Sequence, residues 1–216
     1  CSDLPNITIP EGVPSIGDWA FSHCDNLGDI TLPASVTNIG AYAFYSCDNI
    51  ASVSMSDSIT SIGNHAFWDC DSLTGVTLPA SLTSIEASTF FDCNGITSFT
   101  FGENITTISS EAFAQCDGLT TITLPSSVTS IESHAFWACT NLVEIILEST
   151  TAPTLGLNVF LNVNVAASVK VDSAATGFGG SFGGLPVVQI TITTTTSSTT
   201  TSSTSTTTTT TTSSST

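Results

Sequence analysis

The chain has 216 residues, 40% of them hydrophobic, enough for one packed domain with a tail. Eighteen acidic residues stand against one lysine, Lys170, and no arginine, giving a net charge of −17. That balance leaves nothing to neutralise phosphates, so it excludes nucleic acid and disfavours an anionic membrane surface, while cations, basic partners and neutral glycans stay open.

No apolar run approaches the ~20 residues that a helical membrane span needs. The sequence opens on Cys1 with no signal-like segment, which reads as the start of a processed or trimmed chain. From there one period governs. The seven cysteines stand 23 residues apart, at Cys1, Cys24, Cys47, Cys70, Cys93, Cys116 and Cys139.

Each unit opens with an apolar row (Leu4, Leu27, Ile50, Leu73, Ile96, Leu119, Leu142) and then a short strand such as "ITL" at 30–32. In that strand the outer two side chains point inward and the threonine outward. Proline or glycine ends most strands, at Pro10, Pro33, Pro79, Gly102 and Pro125. Rows led by Val13 and Ile16 follow, then the Ala-Phe pair of Phe21, Phe44, Phe67, Phe90, Phe113 and Phe136, and then the cysteine. A period in the low twenties with one short strand per unit signals a solenoid, because no coil can bury its apolar face alone. Parallel coils advance by about 4.8 Å and bring like residues into columns.

The segments "LGDITLPASVTNIGAYAFYSC" (27–47) and "LTTITLPSSVTSIESHAFWAC" (119–139) share the pattern L..I.LP.S.T.IG..AF..C. This pattern resembles the BspA-like class of leucine-rich repeats. The resemblance implies a mostly β leucine-rich-repeat solenoid over 1–148 and, in general terms, surface attachment and adhesion.

The repeat gathers Cys24, Cys47, Cys70, Cys93, Cys116 and Cys139 into one inward column, which reads as a structural thiol ladder. Disulfides between neighbours are the alternative, although seven is odd. The acidic residues beside the cysteines, Asp48, Asp69, Asp71 and Asp92, form a stripe in which calcium is the sharper reading. Turn capping by Asp and Asn backbone bonds is the weightier one. One residue past each phenylalanine lies an aromatic row, Tyr45, Trp68, Phe91 and Trp137, expected to face outward and to meet sugar rings or a protein partner.

Threonine columns (Thr8, Thr31, Thr77, Thr100 and Thr37, Thr60, Thr83, Thr106, Thr129) face outward too, and an ice-binding face is a minor alternative. Sequons at Asn6 and Asn104 allow N-glycosylation. No catalytic constellation stands out: His23, His65 and His134 fall on variable rows, and "GGSFG" (179–183) lacks the strand-to-helix setting of a nucleophile elbow.

Residues 149–192 read as a degenerate terminal repeat, with Phe160 24 residues after Phe136, followed by a β-prone segment ending in "LPVVQITI" (185–192). That run pairs with its own chain by default, or adds a strand to another subunit. From 193 to 216 every residue is Ser or Thr, a tract that cannot bury apolar surface. It reads as an O-glycosylated tail that includes Thr193, Thr194, Thr195, Thr196, Ser197, Ser198, Thr199, Thr200 and Thr201. Together these readings predict a non-enzymatic, secreted or cell-surface repeat protein for structure or adhesion, able to self-associate into fibres. The alternative is a glycan- or protein-binding receptor module using the aromatic row. No cofactor is expected beyond the calcium alternative.

Overall fold

The structure is a computed structural model and describes residues 3–190. Among the described residues there is no helix. The chain coils through two columns of short parallel strands and one column of tight turns. The first column holds Ile30–Thr31 (β2), Val53–Ser54 (β4), Gly75–Thr77 (β6), Ser98–Thr100 (β8), Thr121–Leu124 (β10), Glu144–Leu147 (β12), Ser168–Asp172 (β14) and Leu185–Ile190 (β16). The second holds Ser15–Ile16 (β1), Asn38–Ile39 (β3), Ser61–Ile62 (β5), Ser84–Ile85 (β7), Thr107–Ile108 (β9), Ser130–Ile131 (β11) and Thr154–Leu155 (β13). Registers follow the repeat: Ile30 pairs with Val53 and Asn38 with Ser61. From β11 to β13 the step lengthens, pairing Ser130 with Thr154, which absorbs the extra residue seen before Phe160.

The interior is a set of columns, of which those of phenylalanine and cysteine are each made of one residue type and others mix Leu, Ile and Val or, once, Thr89 with alanine. Phe44, Phe67, Phe90, Phe113 and Phe136 are fully buried. Their rings, with Phe21 above and Phe160 below, stack at centroid distances of 5.2–5.6 Å and within 16° of parallel. This is the offset stacking that aromatic quadrupoles favour. Ala43, Ala66, Ala112 and Ala135 lie beside them because the coil leaves no room for a second large side chain.

The column ends in a hairpin. Ser181–Phe182 (β15) pairs antiparallel with β16, and Gly183 and Gly184 between them adopt φ of 60° and 86°, as a tight two-residue hairpin turn requires. Phe178 and Phe182 are buried against the last coil. Gly183 sits under Phe160, where a Cβ would lie 2.6 Å from the ring. β16 itself pairs parallel with β14 of the same chain.

Candidate recognition face

The third side of each coil is the turn around the Ala-Phe pair, and its backbone alternates. In the first turn the N–H groups of Trp19, Phe21 and His23 donate to the carbonyls of Ala41, Ala43 and Tyr45 in the next coil, at 2.9, 2.8 and 2.8 Å. Between them Ser22 and Cys24 bond back to Trp19 and Phe21 within the turn, both at 3.2 Å. The alternation needs left-handed residues four apart. One column is Trp19, Tyr42, His65, Ser88, Glu111, His134 and Asn158, the other His23, Ser46, Asp69, Asp92, Gln115, Ala138 and Asn162, with φ between 50° and 63°. None is glycine, so each carries a steric cost that the inter-coil bonds offset.

Apart from Ser88, which is buried, these residues turn outward and line a surface. Trp19 stacks on Tyr42 at 3.9 Å and Tyr42 on His65 at 4.4 Å, with interplanar angles of 3° and 9°. The stack then crosses to the other aromatic column: His65 lies 5.0 Å from Trp68, and Trp68 lies 4.0 Å from Phe91. Tyr45 leans on this ribbon, tilted by 51° to Trp19 and 34° to Trp68. Trp137 stands apart beyond Ala114, edge-on to His134 at 6.4 Å.

The row expected to face outward is therefore half-buried at Tyr45, Trp68, Phe91 and Trp137, and Trp68 and Phe91 turn their faces to each other. From Tyr42 to Trp68 each ring face meets a neighbouring ring, while Trp19 at the end of the ribbon is 55% exposed with a stacked ring on one face only. Trp19, Tyr42 and His65 belong to it as well, and they are legible in the sequence as three aromatic-type side chains one period apart. Burial lowers the pKa of His65, partly countered by the Glu111 carboxylate, and its Nδ1 has no hydrogen-bond partner among the described residues.

The acidic stripe borders this ribbon. Asp48 and Asp71 are exposed, and Asp69 and Asp92 are half-buried. Asp69 accepts from Ser46 Oγ at 3.0 Å, Asp71 and Asp92 both accept from Asn94 Nδ2 at 3.1 and 2.8 Å, and Asp117 accepts from Thr140 N–H at 3.0 Å. The carboxylates thus act as rungs between coils. Asp48 is exposed yet partly desolvated by the coils on either side, and this, then repulsion from Asp25 and Asp71, raises its pKa. Burial also raises that of Asp69, with Ser46 pulling the other way. Among the described residues no group of three or more His, Cys, Asp or Glu gathers closely enough to hold a metal ion.

The six cysteines from Cys24 to Cys139 are buried and unbridged. Each thiol from Cys47 onward points at the carbonyl of the phenylalanine 26 residues earlier, for example Cys93 to Phe67 at 2.9 Å. Burial pushes Cys47 and Cys139 up to about 12 and Cys70, Cys93 and Cys116 well above the usual thiol range. Cys1 lies outside the described residues.

Exposed Thr60, Thr106 and Thr129 each donate Oγ1–H to a carbonyl one coil back, at 3.1–3.3 Å. Asn6 and Asn104 are exposed, and Asn104 donates Nδ2–H to Ala80 at 2.8 Å. The tail from Thr193 to Thr201 lies outside the described residues. Lys170, the sole basic residue apart from the histidines, is bound to Glu144 at 2.5 Å.

Parallel two-residue strands, one phenylalanine column and a 23-residue pitch define a β-solenoid of the leucine-rich-repeat class. Residues 1–117 and 83–211 match the BspA type leucine rich repeat region, in six copies. The chain belongs to the BspA-type leucine-rich repeat family.

Two solved structures are similar. A leucine-rich repeat protein from Bacteroides ovatus shares 25% identity at a TM-score of 0.71, covering 87% of this chain and 48% of that one. A leucine-rich repeat protein of T. pallidum shares 31% identity at a TM-score of 0.68, covering 73% of this chain and 76% of that one. This chain thus spans about half the length of the Bacteroides ovatus protein. No curated protein matches it significantly. Among the described residues no helix is long and apolar enough to cross a membrane.

Proposed function

We propose that the chain is a non-enzymatic module of a surface-exposed protein, adhering to basic protein partners through its turn face. The observation that carries this reading is the ribbon of stacked rings from Trp19 to Phe91, flanked by carboxylates in a chain whose one lysine is already paired. Lysine and arginine side chains suit such a surface: their aliphatic stems pack on apolar edges while their charges meet carboxylates. Stacking on sugars needs open ring faces, and the faces of Tyr42, His65 and Trp68 are turned to neighbouring rings.

The test is binding of the full chain to immobilised lysozyme, as a basic protein, beside an array of neutral glycans. Expected is lysozyme binding that weakens steeply with salt and is reduced in the double variant Tyr42→Ser, Trp68→Ser. Salt-insensitive binding confined to the glycans would overturn the proposal.

A further inference from the structure

The turns stack by one rule, repeated six times. From the turn at 19–23 to that at 134–138, three N–H groups two residues apart donate to carbonyls of the next turn at 2.8–3.1 Å. The seventh turn keeps the same backbone, with Asn158 and Asn162 left-handed at φ of 56° and 63°. Its three corresponding donors, the N–H groups of Asn158, Phe160 and Asn162, meet no acceptor among the described residues. They border a cavity of about 440 Å³ whose far wall is Gly183, Gly184 and Leu185. The glycines keep that wall bare, and a Cβ at Gly184 would meet nothing within 4 Å. Leu161, which lines the cavity, is 46% exposed, and Leu157, between the lining residues Gly156 and Asn158, is 74% exposed.

A row of parallel backbone donors is matched by peptide carbonyls, which repeat at the same spacing. We infer that the lower edge of the seventh turn is a docking groove for a segment of a partner polypeptide that takes up the same turn backbone. Three carbonyls of that segment bind the turn, and apolar side chains lie where it passes Leu157 and Leu161. The groove continues the coil-on-coil interface, which supplies the template. One coil up, the carbonyls of Leu157, Val159 and Leu161 are taken by His134, Phe136 and Ala138.

The occupant is built likewise, except at the position of the coil's phenylalanine. There it carries a small residue, because Gly183 already fills the space below Phe160. A segment of Ser and Thr alone, such as 193–216, has the carbonyls but not the apolar side chains. Backbone bonds by themselves do not offset the entropy of ordering such a segment.

The probe is the capped peptide Gly-Leu-Asn-Val-Gly-Leu-Asn, titrated into the isotope-labelled full chain and followed by amide resonances and hydrogen exchange. Its control has serine in place of Leu, Val and Leu. The first peptide is expected to shift the Asn158, Phe160 and Asn162 amides and slow their exchange, and the serine peptide to leave them unmoved. Leu157→Asp, at an exposed position, is expected to weaken binding by about tenfold or more, with an unchanged circular dichroism spectrum. Unmoved amides at roughly millimolar peptide would overturn the inference. So would protection already present in the free chain: if independent of protein concentration, it assigns the edge to the chain's own tail, and if rising with concentration, to a second copy.

Discussion

Replacing Phe90 with alanine probes the phenylalanine column at its centre. Phe90 is fully buried, stacks on Phe67 and Phe113 at 5.6 Å each, and meets Phe99 edge-on at 5.2 Å. Truncating a core phenylalanine costs about 3–5 kcal/mol, most where the surroundings cannot collapse. Here they are held, because the Phe67 and Phe90 N–H groups bond the next coil at 2.9 Å and fix the spacing between coils. The expected loss is therefore about 5 kcal/mol, the top of that range. Phe21, the first ring of the same column, is half-buried and touches only one other ring, Phe44 at 5.3 Å, among the described residues. Phe21→Ala is expected to cost about 1–2 kcal/mol.

In urea, with a slope of about 2 kcal/mol/M, the midpoints fall by about 2.5 M and less than about 1 M respectively. The slope for Phe90→Ala should also drop, since a weakened middle coil uncouples the two halves of a solenoid. Circular dichroism and tryptophan fluorescence read both quantities. Equal midpoint shifts for the two variants would refute the idea that a ring's burial and stacking within the column set the cost.

Three further outcomes follow from the turns and the thiols. Gln115 sits at φ 62°, so Gln115→Val should lower stability by about 1–2 kcal/mol in thermal melts while Gln115→Gly stays within about 1 kcal/mol of the parent. Cys70, Cys93 and Cys116 should resist a thiol reagent at pH 8 in the folded chain and react promptly in denaturant, read by mass spectrometry. The turn face should give a two-signed pH profile. His65, with its pKa lowered on folding, contributes stability above its unfolded value that is lost as pH falls; Asp48 and Asp69, with pKa values raised, contribute stability at low pH that is lost as pH rises. His65→Gln should flatten the change from neutral to mildly acid pH, and Asp69→Asn should raise the neutral-pH melting temperature.

The pitch of the fold was plain in the sequence because burial imposes it: every column that packs inward had to repeat, and Phe44 to Phe136 did. The left-handed turn was hidden for the opposite reason. Beside the His, Asp and Asn that tolerate positive φ, its positions hold Trp, Tyr, Ser, Glu, Gln and Ala, which local rules do not place there, and bonds to the neighbouring coils offset the cost. The aromatic row was visible, but not the direction its rings face, which depends on a coil spacing short enough for Trp68 to cover Phe91. The stretch "GGSFG" (179–183) lacked a strand-to-helix setting; that Gly183 and Gly184 close a hairpin beneath Phe160 depends on a contact far away in sequence.

The bonds that join coil to coil all run along the solenoid axis, and this gives the molecule a mechanical character. A pull between its two ends loads the coil interfaces in series, so the weakest opens first while the others hold. Each coil that opens replaces a rise of about 4.8 Å with about 75 Å of extended chain. Such a module yields in steps and lengthens greatly before it fails.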